Sequence, residues 1–189
     1  MIIPLPKTST ERSVDDHSPS LYFFNDLKST QANHRKELRQ QLQTIIQRRE
    51  PSINFDGLSD LSKRPVLPGY SMSLSHCPLG SGFCLFPDDQ VQVGFDLEQK
   101  SRLNPKLIER VSTQIERNQS INPLFLFTAK EAAWKAVNKP LSLLTISDVH
   151  TTSWRLIEPN WYTYQIERDG QLVDGLGFVH DFLGLHLSF

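Results

Sequence analysis

Cysteine is scarce in this chain. Cys77 and Cys84 are the only two in 189 residues, and their spacing matches neither a redox CxxC nor a zinc pattern. They are therefore read as reduced thiols filling small core positions. Long apolar runs are also missing: nothing approaches the roughly 18–20 residues a membrane span needs. The opening MIIPLPKTSTERSVDD lacks the basic start and apolar centre of a secretory signal. A cytoplasmic protein with no membrane partner is expected. An excess of either charge is absent as well. Twenty Lys and Arg against 21 Asp and Glu leave a formal net charge of -1, so no whole-molecule field favours nucleic acid. Any anion site must be a local cluster. No short-period repeat marks a solenoid, and 38% hydrophobic with 22% charged residues is ordinary for a globular chain.

What is present divides into patterned segments. Residues 1–20, rich in Pro, Ser, Thr and charge, read as a loosely held lead-in. From Gln31 to Arg48, Leu38, Leu42, Ile45 and Ile46 recur at helical spacing. Arg35 and Arg39 lie one turn apart on that helix, and Glu50-Pro51 ends it. Met72, Leu74 and His76 then alternate with serines as in a strand. Phe83 to Phe86 gives a second strand, and Val91, Val93, Phe95 and Leu97 mark a third. Short turns between them predict an antiparallel meander.

The second half repeats that order. Leu107, Ile108, Val111 and Ile115 predict an amphipathic helix over Asn104–Arg117, and another helix starts near Thr128. Strands are expected at Thr145–Leu156, Trp161–Glu167 and Leu176–Phe189, with Asp169-Gly170 as a hairpin turn. The expectation is an α+β fold of two pseudo-duplicated halves, each a helix on an antiparallel meander, with the site at the cleft between them. The halves span 21–100 and 101–189, joined as one unit because each alone has an incomplete core.

Two segments carry candidate chemistry. In Val93–Glu98, alternation puts Asp96 and Glu98 on one strand face, with Phe95 and Leu97 on the other. Adjacent acids repel unless a cation sits between them, and hard oxygens suit Mg²⁺. Taken alone, however, Asp-x-Glu reads as a solvated strand end. In Phe127–Ala136, Thr128 can cap a helix with Glu131 as its capping-box partner, and Glu131 and Lys135 form a favourable helical pair. Taken alone, that segment also reads as structural. Trp134, Trp154 and Trp161 are read as core.

Together, VGFDLE and FTAKEAAWKA resemble the bipartite signature of 4′-phosphopantetheinyl transferases, with Gly94, Asp96, Glu98, Phe127, Thr128, Lys130, Glu131 and Lys135 filling its positions. SLSHC at 73–77 is similar to the family's Ser-His strand, and Ser62-Lys63-Arg64-Pro65 to its Gly-Lys-Pro loop, with the Gly replaced. Asn33-His34-Arg35 is similar to its His-Arg pair, and Lys139-Pro140-Leu141-Ser142 also has a counterpart. The likeness covers roughly residues 31–150 and points to the larger, two-halved members.

The resemblance implies transfer of the 4′-phosphopantetheine arm of coenzyme A to a serine of an apo acyl or peptidyl carrier protein, with Mg²⁺ as cofactor. It implies Asp96, Glu98 and Glu131 as metal ligands, Glu131 and Lys135 as catalytic groups, and Lys135 on a phosphate. Arg35, Arg64, Pro65, Ser75 and His76 would bind coenzyme A. A monomer is expected, since two fused halves would complete the site. The alternatives are a degenerate protein that binds coenzyme A or a carrier without transfer, and an unrelated Mg²⁺-dependent phosphate-transfer enzyme.

Overall fold

A computed structural model of the chain describes residues 20–24, 31–61, 63–137, 144–168, 171–180 and 183–188. The fold is α+β, and it divides into two compact units, Met1–Gln92 and Val93–Phe189. None of the described helices is long and apolar enough to cross a membrane.

In the first unit helix α1 runs Gln31–Arg49, close to the predicted span, because its apolar stripe has a surface to cover. Leu38, Leu42 and Ile46 are buried against a three-stranded antiparallel sheet of β1 (Ser20–Phe24), β2 (Ser71–Cys77) and β3 (Gly80–Phe86), in the order β1-β3-β2. Tyr22, Leu58, Leu67, Met72, Phe83 and Leu85 complete this core, with Tyr22 stacked on Phe83 at 4.8 Å between ring centroids. Strand β1 was not foreseen: SLYFF is short and does not alternate, so only its pairing with β3 makes it a strand. The thiols of Cys77 and Cys84 are buried as expected, and enclosure pushes the Cys84 thiol well up.

The predicted three-strand meander does not form. The third strand, β4 (Gly94–Gln99), leaves the first sheet and pairs with the last strand of the chain, from Gly94 opposite Ser188 to Gln99 opposite Leu183. Period-two alternation marks a strand but not its partner. Val91 and Val93 precede β4 rather than belonging to it. The second unit holds the five-stranded antiparallel sheet β4-β8-β7-β6-β5, formed with β5 (His150–Glu158), β6 (Trp161–Arg168), β7 (Gln171–His180) and β8 (Leu183–Ser188). The two sheets thus differ in strand number and order. The segment expected as one last strand is part of β7 plus β8, and Asp169-Gly170 lies outside the described residues. The stretch expected to begin at Thr145 becomes a strand only at His150, after a 3-10 turn at Ile146–Asp148.

The helix predicted over Asn104–Arg117 is two helices, α2 (Pro105–Val111) and α3 (Gln114–Gln119). Asn104 caps α2 through its side chain, and Thr113 forms a capping box with Glu116. A second N-cap at Thr113, just past the Ser112 that closes α2, starts a new helix in place of a continuation. Ile115, assigned to the apolar face, is instead 67% exposed.

Glu116 then does more than cap. Its Oε1 accepts hydrogen bonds from Lys130 Nζ at 2.8 Å and Thr151 N at 3.0 Å, and its Oε2 from Thr113 N at 2.8 Å. Both members of the ion pair are buried. Lys130 comes from helix α4 (Leu126–Val137), so this carboxylate ties α3, α4 and β5 together. Burial alone would raise the Glu116 pKa, but Lys130 and the backbone donors of Thr113 and Thr151 outweigh it and hold it below its ordinary 4.5.

Removing one partner of such a pair strands the other charge. Glu116→Ala should destabilise the protein by about 3–5 kcal/mol. Joint replacement of Glu116 and Lys130 by Leu and Met should recover only the part due to the stranded Lys130 charge, because Thr113 N and Thr151 N still lose their acceptor. Urea unfolding of the three variants checks this. Because the Glu116 pKa is depressed on folding, its contribution is present above pH 4.5 and disappears as pH falls further.

Candidate functional site

Asp96 and Glu98 lie on the face of β4 that meets α4, while Phe95 and Leu97 are fully buried on the other. The approach of helix to strand is unusually close at Gly94. A Cβ placed there would stand 1.8 Å from the Ala132 carbonyl oxygen and 2.5 Å from the Ala136 nitrogen. Only glycine permits this backbone-on-backbone contact. Ala132 and Ala136 meet β4 here, Ala129 and Ala133 pack into the core with Tyr162, Tyr164 and Ile166, and all four are buried.

Thr128 is not the helix cap that the sequence indicates. A 3-10 turn at Pro123–Phe125 runs directly into α4, which begins at Leu126. Thr128 is therefore inside the helix and fully buried, and Glu131 is free of the capping-box role. Its expected pairing with Lys135 is present at 3.3 Å. The same Lys135 ammonium donates to Asp96 Oδ1 at 2.6 Å and to the Phe95 carbonyl at 3.1 Å. Lys135 thus bridges helix and strand. Glu98 meets Arg102 at 3.3 Å.

Negative charge is concentrated here. Burial, then Asp96, push the Glu98 pKa up to about 7; Arg102 pulls against them, and Glu131 adds a smaller push. Glu131 is raised by burial and then by Asp96, with Lys135 opposing. Burial acts to lower the Lys135 pKa, but Asp96 and Glu131 overcome it and the net shift is upward. Asp96, Glu98 and Glu131 are hard oxygen donors of the type Mg²⁺ takes, so the donor chemistry fits the ion that the resemblance implies. As placed, no three His, Cys, Asp or Glu side chains among the described residues form a metal-holding group. The positive charge between Asp96 and Glu131 is supplied by Lys135.

Behind Asp96 runs a buried polar row that the sequence did not disclose. Asp96 is opposite His186 on β8, His186 opposite Gly177 on β7, and Gly177 opposite Tyr162 on β6. The Tyr162 ring lies over Gly177, where a Cβ would come within 2.4 Å of it, and its hydroxyl bonds the His186 Nε2. Enclosure drops the His186 pKa to about 3, so the ring is neutral. In the next row Tyr164 bonds Ser188 at 3.0 Å. Trp134 and Trp154 pack on the core of Tyr162, Tyr164 and Ile166, while Trp161, also buried, lies against Phe178.

The other candidates belong to the first unit. Arg35 is exposed on α1, Arg64 is exposed and Pro65 half-buried in the loop before β2. Ser75 is buried and His76 half-buried on β2, where neighbouring positions face opposite sides. Residues 139–142 lie outside the described residues.

Two expectations follow from this geometry. Gly94→Ala should push α4 off β4 and part Lys135 from Asp96, lowering the melting temperature by several degrees even though alanine is the better strand former. The second concerns pH. Glu98 holds its proton to about 7 in the folded state against 4.5 unfolded, so its effect on stability worsens as pH rises across that window. His186 gains a proton near 6.5 only when unfolded, so its effect worsens as pH falls through 6.5. The two nearly cancel between about pH 5 and 6.5. Glu98→Gln removes one side of the balance, and its denaturant midpoint should fall toward acid more steeply than that of the parent.

No family model matches this sequence, and no curated protein matches it.

Proposed function

We propose that the protein transfers the 4′-phosphopantetheine arm of coenzyme A to a serine of an apo carrier protein in an Mg²⁺-dependent reaction. One observation carries the reading. The two sequence segments similar to the phosphopantetheinyl transferase signature are far apart in the chain, yet Lys135 of one meets Asp96 of the other at 2.6 Å. Around that contact, Glu98 and Glu131 feel the Asp96 charge.

In this reading the carrier serine Oγ attacks the β-phosphorus of coenzyme A. A P–O bond forms to the serine and the P–O bond to adenosine 3′,5′-bisphosphate breaks. Asp96, Glu98 and Glu131 would hold Mg²⁺, which when bound neutralises the pyrophosphate and stabilises the leaving group. Lys135, a fifth exposed in its side chain, is placed to turn from Asp96 to a phosphate oxygen. Glu131 is a quarter exposed, and its pKa, raised by burial and Asp96, makes it a stronger base for the serine proton than an ordinary carboxylate. Alignment and charge neutralisation account for most of the acceleration in such a transfer. Arg35, Arg64, Pro65, Ser75 and His76 are assigned to coenzyme A. Arginine suits that role because its planar fork can give two charge-assisted bonds to one phosphate.

The test is to incubate the protein with coenzyme A, Mg²⁺ and an apo carrier, and to weigh the carrier. Its mass should rise by one phosphopantetheine arm. Asp96→Ala and Lys135→Ala should each lower the rate by two or more orders of magnitude while both variants stay folded by circular dichroism. An unchanged carrier alongside bound coenzyme A would instead identify a non-catalytic binder. Undiminished turnover in Lys135→Ala would leave that lysine only its structural pairing.

A further inference from the structure

Resting on the transferase reading above, we infer that Arg39 is a positioning residue for coenzyme A, holding the loop that carries Arg64 and Pro65. The sequence offers Arg39 only as a second arginine one turn beyond Arg35. In the structure the two differ sharply: Arg35 is exposed, while Arg39 is 7% exposed. The Arg39 guanidinium gathers three backbone carbonyls of one loop. Nη1 donates to Leu58 O at 2.8 Å and to Asp60 O at 2.7 Å, and Nη2 to Lys63 O at 2.6 Å. The planar fork of arginine can serve three acceptors in fixed directions, which a lysine ammonium on a flexible stem cannot reproduce.

A second feature closes the same loop. Val66 N donates to Gly57 O at 3.2 Å, and a Cβ at Gly57 would stand 2.3 Å from the Val66 carbonyl oxygen. Leu58 and Leu67, near the two ends, are buried in the first unit's core. Arg64 and Pro65 are thus held between a closed neck and a guanidinium plug, with Arg64 exposed. The plug is buried and bonded at three points, and the Arg64 of the loop it holds is exposed, the arrangement a recognition loop needs. Arg39 lies within electrostatic reach of Asp60 and of Arg35, so the plugged loop and the exposed helix arginine share one neighbourhood. Arg39 itself, enclosed by carbonyls, acts through Arg64 and Pro65 and not on the ligand.

The experiment compares wild type, Arg39→Lys and Gly57→Ala. Gly57→Ala leaves Arg39 and the buried face of α1 intact, so it serves if the arginine variant fails to fold. Calorimetry with coenzyme A gives Kd, the carrier-mass assay gives KM and kcat, and hydrogen exchange reports the loop amides on either side of Pro65. Both variants should speed exchange in the loop and raise Kd and KM for coenzyme A about tenfold or more, with kcat largely kept. A loosened loop with Kd within twofold of wild type overturns the positioning role while leaving the transferase reading standing. Failure of the wild-type protein to bind coenzyme A overturns both.

Discussion

The candidate site depends on how closely helix α4 lies on strand β4. That closeness is set where Gly94 faces the Ala132 carbonyl and the Ala136 nitrogen, with no room for a Cβ. A helix seated at ordinary side-chain distance would hold its residues several ångströms farther from the sheet. The Lys135 ammonium could not then reach Asp96 Oδ1 and the Phe95 carbonyl together. The glycine in VGFDLE therefore has a mechanical reason independent of any chemistry: it lets one backbone rest on another. The alanines of α4 answer it from the helix side.

On that seat, the five-residue separation of Lys130 and Lys135 becomes meaningful. Five residues turn a helix by about 500°, so the two lysines point some 140° apart. Lys130 points into the unit and is consumed by Glu116, whose other bonds reach Thr113 and Thr151. Lys135 points along the β4 face and stays partly open to solvent. Glu131, four residues before Lys135, shares its face. A segment that reads as one run of helix-stabilising charge thus separates into a structural lysine and a site lysine. Only the direction each faces distinguishes them.

Much of this was legible in the sequence, for identifiable reasons. The stripe Leu38, Leu42, Ile46 predicts α1 because a long periodic helix on a sheet has one stable way to hide its apolar face. Alternation in Phe95–Glu98 correctly separates the two faces of β4. What was not legible is partnership. Nothing local in β4 tells that it pairs with β8 at the far end of the chain, so the expected β2-β3-β4 meander failed. The break between α2 and α3 was visible in principle, since Thr113 and Glu116 have capping-box spacing; the apolar period through Ile115 masked it. Arg39 and the His186–Tyr162 bond depend on long-range geometry and leave no local signal.

The acids of the second unit show why position, more than residue type, decides what a carboxylate does. Glu116 and Glu131 both lie in α-helices, and each faces a lysine. Glu116 has its burial compensated by Lys130 and backbone donors, and its pKa moves down. Such a group is electrostatically satisfied, and further positive charge would gain little. Glu131 and Glu98 move up, because burial and the Asp96 charge outweigh Lys135 and Arg102. Near neutral pH the fold therefore keeps, at β4 and α4, carboxyls that hold their protons more tightly than solvated ones do. Such a group costs stability as pH rises and it ionises, and a cation beside it would relieve a strain that the satisfied Glu116 does not carry.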